Sequence, residues 1–157
     1  MLRQISIMIF LCVLIRAEEV EITAKEFFAD ELKGIAVFTG SVAAKRGKDI
    51  MKGDKITILF TKNKEITKFE AKGNAYFYVK LDNSSAYTGE ANEIVYIPAE
   101  GKYTLKGKAW AEDLTNSRKV IGELITFNEK TRFAEVNGDE KPVKMIFTIK
   151  DEKNTKE

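Results

Sequence analysis

The sequence has no histidine, one cysteine, one tryptophan and two prolines in 157 residues. Without histidine it lacks the side chain that most often serves as a general base near neutral pH and as a metal ligand. Ser6, Ser41, Ser84, Ser85 and Ser117 therefore have no histidine to activate them as nucleophiles. The glycines are scattered along the chain, so no phosphate-cradling loop is present. Asp and Glu are interspersed among lysines, which reads as a solvated face in preference to an acid pair of the kind that cleaves glycosidic bonds. The oxygen-rich stretch "LDNSS" reads as a turn in preference to a weak calcium site. No enzyme is expected, and no cofactor.

Charge of one sign is also missing. The formal net charge is +2, and it belongs to the first residues. Arg3 precedes an unbroken apolar run, "ISIMIFLCVLI" (5–15), and Arg16 and Ala17 follow before the chain turns charged. A basic start, a short apolar stretch and a small residue before a polar stretch make a secretory signal peptide, expected over 1–17. The run is shorter than the roughly 20 residues needed to cross a bilayer. A retained anchor is the alternative, because Ile15 and Arg16 make an imperfect cleavage site. Cleavage would remove Arg3 and Arg16, taking Lys+Arg from 26 to 24, level with Asp+Glu at 24. No basic face for nucleic acid is then visible. Cys12 would leave with the leader, and neither disulfides nor thiolate metal sites could form in the remainder. Bulky residues before Cys12 argue against lipidation.

The remaining sequence, 18–149, alternates at period two. "KITILF" (55–60), "NAYFYVK" (74–80), "EIVYI" (93–97), "KYTLKG" (102–107) and "VKMIFTI" (143–149) are rich in β-branched and aromatic residues. Polar turns such as "TKNKE", "PAEGK", "NEKT" and "NGDEK" separate them. "TAKEFFADEL" (23–32) reads as a strand that could take a helical turn. "KDEKNTKE" (150–157) is a charged tail with the composition of disorder. The class is all-β.

Glycines preceded two places earlier by a small or apolar residue recur at Gly40, Gly53, Gly73, Gly89, Gly107, Gly122 and Gly138. Gly40, Gly73, Gly107 and Gly138 follow one another at intervals of 33, 34 and 31 residues. A steady period of this size marks stacked units that bury a shared interior. Glycine within a strand marks a bulge or a bend, so a sheet folded repeatedly along one line is expected, apolar inside and charged outside.

In order and spacing, "VEITAKEFFAD", "FTGSVAAKRGKDIMKGDKITI", "FEAKGNAYFYV", "AYTGEANEIVY" and "YTLKGKA" resemble the OstA-like family, over roughly Val20 to Gly138. Beyond Gly107 the pattern is looser. The resemblance implies an open, twisted, V-shaped antiparallel β-jellyroll in the periplasm. It also implies that this fold holds lipopolysaccharide by its acyl chains on the way from the inner to the outer membrane. As partners it implies end-to-end copies of the chain and similarly folded transport components at both membranes. An inner-membrane member of the same system with a retained N-terminus is one alternative, and a structural β-repeat with no lipid ligand is another.

A lipid chain requires a dry trough and no catalytic constellation, since each methylene removed from water is worth about 0.8 kcal/mol. In phase with the repeat, the expected lining is Phe38, Val42, Ile56, Ile58, Phe69, Phe77, Val79, Ile94, Tyr96, Tyr103, Leu105, Ile125, Phe127 and Val136. The same side chains would serve an ordinary packed core. A one-residue bulge would exchange the inward and outward sets. Trp110 is out of phase with Ala109 and Ala111, as an exposed platform or a cap on an open end. The edges expected to stay unpaired are "VEITAKEFF" (20–28) and "VKMIFTI" (143–149), whose head-to-tail pairing would build an open filament.

Overall fold

The computed structural model describes residues 19–81 and 85–149. The expected leader (1–17), the charged tail (150–157) and the centre of the "LDNSS" turn lie outside the described residues. Those described form strands and turns and no helix. The strands are β1 (Val20–Thr23), β2 (Glu26–Asp30), β3 (Ile35–Arg46), β4 (Asp49–Phe60), β5 (Ile66–Lys80), β6 (Ala86–Ile97), β7 (Lys102–Asp113), β8 (Arg118–Asn128), β9 (Ala134–Asn137) and β10 (Lys144–Ile146). "TAKEFFADEL" resolves as strand β2 and a turn. "VKMIFTI" is a strand only over Lys144–Ile146.

All the strands join one antiparallel 10-stranded sheet. The long strands β3 to β8 form a meander in which each pairs with its sequence neighbours. At one edge β3 is shared: β1 pairs with its second half, Ala43–Arg46, and β2 with its first, Ile35–Thr39. At the other edge β8 is shared in the same way by β10 and β9. The division exists because every long strand changes register midway. The breaks fall between Thr39 and Val42, Lys52 and Lys55, Lys72 and Ala75, Glu90 and Glu93, and Lys106 and Ala109. Aligned across the sheet, they form a crease that separates two leaves. The first leaf holds β2, β9 and one half of each long strand; the second holds β1, β10 and the other halves.

The crease is built from left-handed backbone. Gly40 and Ser41, Gly73 and Asn74, and Gly107 and Lys108 are consecutive residues with φ of 89° and 46°, 76° and 46°, and 79° and 47°. Each pair adds one residue to β3, β5 or β7 relative to the neighbouring strands, which is a bulge that bends the sheet. Gly73 shows why glycine is needed: besides its positive φ, a Cβ there would run into the Asp54 carboxylate of β4. Asp54 uses that space to accept a hydrogen bond from Asn74 Nδ2 at 3.2 Å, and Glu123 likewise accepts one from the Lys108 amide at 3.3 Å.

The glycine pattern is corrected at two places. Gly89 stands two residues from the crease, whose position on β6 belongs to Ala91, opposite Ala75. Gly138 lies beyond β9 in the loop before β10 and bends no long strand.

Candidate functional site

The register sorts the inward side chains into rows that run across the strands. In the first leaf one row is Phe27, Phe38, Ile56, Ala71, Ile94, Leu105, Ile125 and Val136. Nearer the strand ends lie Ala36, Ile58, Phe69, Tyr96, Tyr103 and Phe127. The crease is a row of small residues, with Val42, Gly53, Ala75, Ala91, Ala109 and Gly122. In the second leaf, Ile22, Ala44, Met51, Phe77, Gly89, Ala111 and Val120 form one row. Val79, Tyr87 and Asp113 belong to the outermost row.

Every residue expected to line the trough lies on these inward rows. Val42, Ile56, Ile58, Phe77, Val79, Ile94, Tyr96, Tyr103, Leu105 and Ile125 are buried, and Phe38, Phe69, Phe127 and Val136 pack partly buried against them. The sequence reading missed Ile22, Met51, Tyr87 and Val120. Ile22 lies on the short edge strand β1; for the other three the strand half explains it. On β4, β6 and β8 the inward parity switches at the crease, from Ile58 and Ile56 to Gly53 and Met51, for example. The residue added to the odd-numbered strands keeps their parity, and their partners step by one fewer. A parity change at each even-strand crease was the available signal. Trp110 faces outward: its indole Nε1 donates to Glu90 Oε2 at 3.2 Å, and Lys119 Nζ lies 4.2 Å from the ring centroid.

The two leaves meet through aromatic rings. Phe77 of the second leaf stacks on Tyr103 of the first, with centroids 5.7 Å apart. Tyr87 packs on Phe127 at 5.3 Å, and Tyr103 stacks on its neighbour Tyr96 at 4.3 Å. Such pairs contribute about 0.5–1.5 kcal/mol beyond the area they bury. The rings hold the leaves together over β5 to β8. Beside them a cleft of about 210 Å³ lies between the second-leaf parts of β1, β3, β4 and β5 and the first-leaf parts of β5, β6 and β7. Its walls are Ala44, Met51, Phe77 and Val79 of the second leaf and Ile66, Phe69, Tyr96 and Tyr103 of the first, with Lys45, Arg46 and Asp49 at the rim.

The polar groups at this mouth are fixed by one another. Tyr96 Oη donates to Glu129 Oε1 at 2.9 Å. Burial, and then the Glu129 carboxylate, push the Tyr96 phenol up to about 12. Burial first, and its neighbour Tyr96 second, hold the Tyr103 phenol far above its ordinary value. Both rings therefore remain neutral in an apolar wall. Arg46 Nη2 lies 3.1 Å from Asp49 Oδ2. Burial would lower the guanidinium, but the hydrogen bond and charge of Asp49 outweigh it and keep Arg46 charged. Among the described residues no group of His, Cys, Asp and Glu could hold a metal.

A family profile described as "LptA/(LptD N-terminal domain) LPS transport protein" matches residues 21–133. Among solved structures, this chain is similar to the crystal structure of LptH from Pseudomonas aeruginosa, the LptA-homologous periplasmic component of the conserved lipopolysaccharide transport device. The TM-score is 0.74 at 19% identity, covering 85% of this chain and 98% of that one. The similarity shows a shared fold. Comparison with curated protein sequences gives no match.

Proposed function

The chain belongs to the LptA/LptD N-terminal domain family of lipopolysaccharide transport proteins, and from that premise we propose that it carries the glycolipid across the periplasm by holding acyl chains between its two leaves. The observation that supports this reading best is the apolar interior opening into a cleft whose walls come from both leaves. Acyl chains enter at the cleft and displace the Phe77–Tyr103 and Tyr87–Phe127 contacts as they advance. Nothing in this arrangement supplies energy, so direction comes from the other components of the system.

The reading is tested with photo-crosslinking side chains at single positions in protein incubated with lipopolysaccharide. Met51 and Phe69, which line the cleft and are only half-buried, are expected to give lipid adducts. Tyr78, in outward phase on β5, is expected to give none. Equal labelling at all three, or none at Met51 and Phe69, would sink the reading in favour of a packed β-repeat without lipid. Those positions are better probes than Ile58 or Phe77, which are 7% and 5% exposed; an aspartate there would unfold the protein before it reported on binding.

Assembly belongs to the same reading. The β9–β10 edge exposes Phe133, Met145, Ile146 and Phe147, and the β2 edge exposes Phe27 and Phe28. Adding the β1–β2 edge of one copy to the β9–β10 edge of the next continues the sheet and both leaves, so the cleft extends from copy to copy. Similarly folded transport components at either membrane dock on the same two edges.

A further inference from the structure

The cleft is apolar along its walls, yet its charged lining is confined to one place. Among the described residues that line it, Lys45, Arg46 and Asp49 alone carry charge, and all three lie at the tip of the β3–β4 hairpin, where Lys48 is also exposed. Asp49 is already engaged on both oxygens. Its Oδ1 accepts the Lys80 amide at 3.0 Å and its Oδ2 faces Arg46 Nη2 at 3.1 Å. The carboxylate thus anchors the guanidinium to β5, at the rim where Ala44 and Met51 lead into the cleft. Lys45 stands opposite Glu21 in the β1–β3 register. The balance at the tip still leaves a cationic excess above an apolar slot. An arginine fork suits planar or tetrahedral oxyanions, and its weak hydration suits a half-buried position.

We propose that the β3–β4 hairpin tip is a headgroup site, at which Arg46, with Lys48 from the turn, holds the phosphate of an acyl lipid whose chain occupies the cleft. This inference rests on the acyl-chain reading above and adds to it a polar end that fixes which way the chain points. The lipid enters with its tail towards Phe77 and Tyr103 and its phosphate at the hairpin. Asp49 competes with the phosphate for Arg46 while holding it in place, so the site is moderate in strength and sensitive to salt.

The test uses the full chain and three probes: a single-chain lysophosphatidic acid below its micelle concentration, a monoacylglycerol of the same chain length, and inorganic phosphate. Calorimetric titration is expected to show lysophosphatidic acid binding about tenfold more tightly than the monoacylglycerol, a difference of about 1.4 kcal/mol. In Arg46→Gln that ratio is expected to fall towards one. In Asp49→Asn, which removes the competing charge and can still accept the Lys80 amide, it should rise. Lys48→Gln, at an exposed turn, gives a second reading that does not depend on the Arg46–Asp49 pair, with a smaller fall in the ratio. Equal binding of the two lipids overturns the headgroup site and leaves the acyl-chain reading standing. Binding of neither lipid overturns both. Inorganic phosphate binding as tightly as lysophosphatidic acid overturns the lipid source of the anion and leaves a free-anion site.

Discussion

At Gly89 the absent side chain makes room for an aromatic ring. A Cβ there would stand 2.5 Å from the Trp110 carbonyl oxygen and 2.6 Å from Phe77 Cε1. The carbonyl belongs to the ladder between β6 and β7 and cannot withdraw, so the ring would have to move and lose its stacking on Tyr103. Gly89→Ala is expected to destabilise the fold by about 1–3 kcal/mol, as overpacking does, read from urea unfolding. An unchanged midpoint would show that the ring has another place to go. Tyr96 supplies a pH dependence. An unfolded tyrosine ionises near pH 10, whereas Tyr96 in the fold does so at about 12. Between those values the unfolded chain has lost a proton that the folded chain keeps. The tyrosine's contribution to stability is therefore complete below pH 10 and declines as pH rises through 12. Tyr96→Phe is expected to unfold less steeply over that window; identical slopes would mean that the phenol is not perturbed.

The crease is the element that turns a flat meander into a two-leaved one, and its glycines can be separated from turn glycines by experiment. Gly73 and Gly47 both have positive φ, 76° and 58°. Around Gly47 there is open space, whereas at Gly73 the Asp54 side chain fills the position. Gly47→Ala should cost only the left-handed backbone, about 1–2 kcal/mol. Gly73→Ala should cost more and should also displace Asp54 from Asn74. Comparing the two by thermal unfolding isolates the second effect, and equal losses would show that the crease tolerates a side chain. The turn that joins β7 to β8 is held differently. Burial would raise the Asp113 carboxyl, but hydrogen bonds from Asn116 and Arg118 hold it below its usual range, with Arg118 Nη2 at 2.7 Å.

In the whole molecule, each long strand crosses from one leaf to the other, so neither leaf has a core of its own to fold around. Ile56, Ile94 and Leu105, all at most 1% exposed, lie in a row covered by the opposite leaf. Unfolding is expected to be one transition, the same by far-ultraviolet circular dichroism and by fluorescence of Trp110. Native-state hydrogen exchange should be slowest in β4 to β7. It should be fastest in the short strands β1, β2, β9 and β10, each of which pairs with one neighbour only among the described residues. Two separated transitions would indicate that the leaves are independent, and the crease would then be a hinge.

The sequence by itself determined the all-β class, the period of the repeat and the inward faces of the strand halves nearest the aromatic positions. Alternation at Ile56 and Ile58, Ile94 and Tyr96, or Tyr103 and Leu105 is a local property that each strand expresses unaided. It also placed Gly40, Gly73 and Gly107 at corresponding bends, because only a few residue types accept that backbone. Met51, Tyr87 and Val120 were missed because alternation carried on unbroken from Ile56, Ile94 or Ile125 puts them outward, whereas the bulges on neighbouring strands shift the parity at the crease and turn them inward. Gly89 resembled a crease glycine in sequence, yet serves Phe77, a residue of another strand. The cleft, its closure by rings from opposite leaves, and the gathering of Arg46 and Asp49 at its rim were decided by tertiary structure alone. They depend on which strand halves the folded sheet brings face to face, and that is set by summed register across the sheet, which no single stretch of sequence contains.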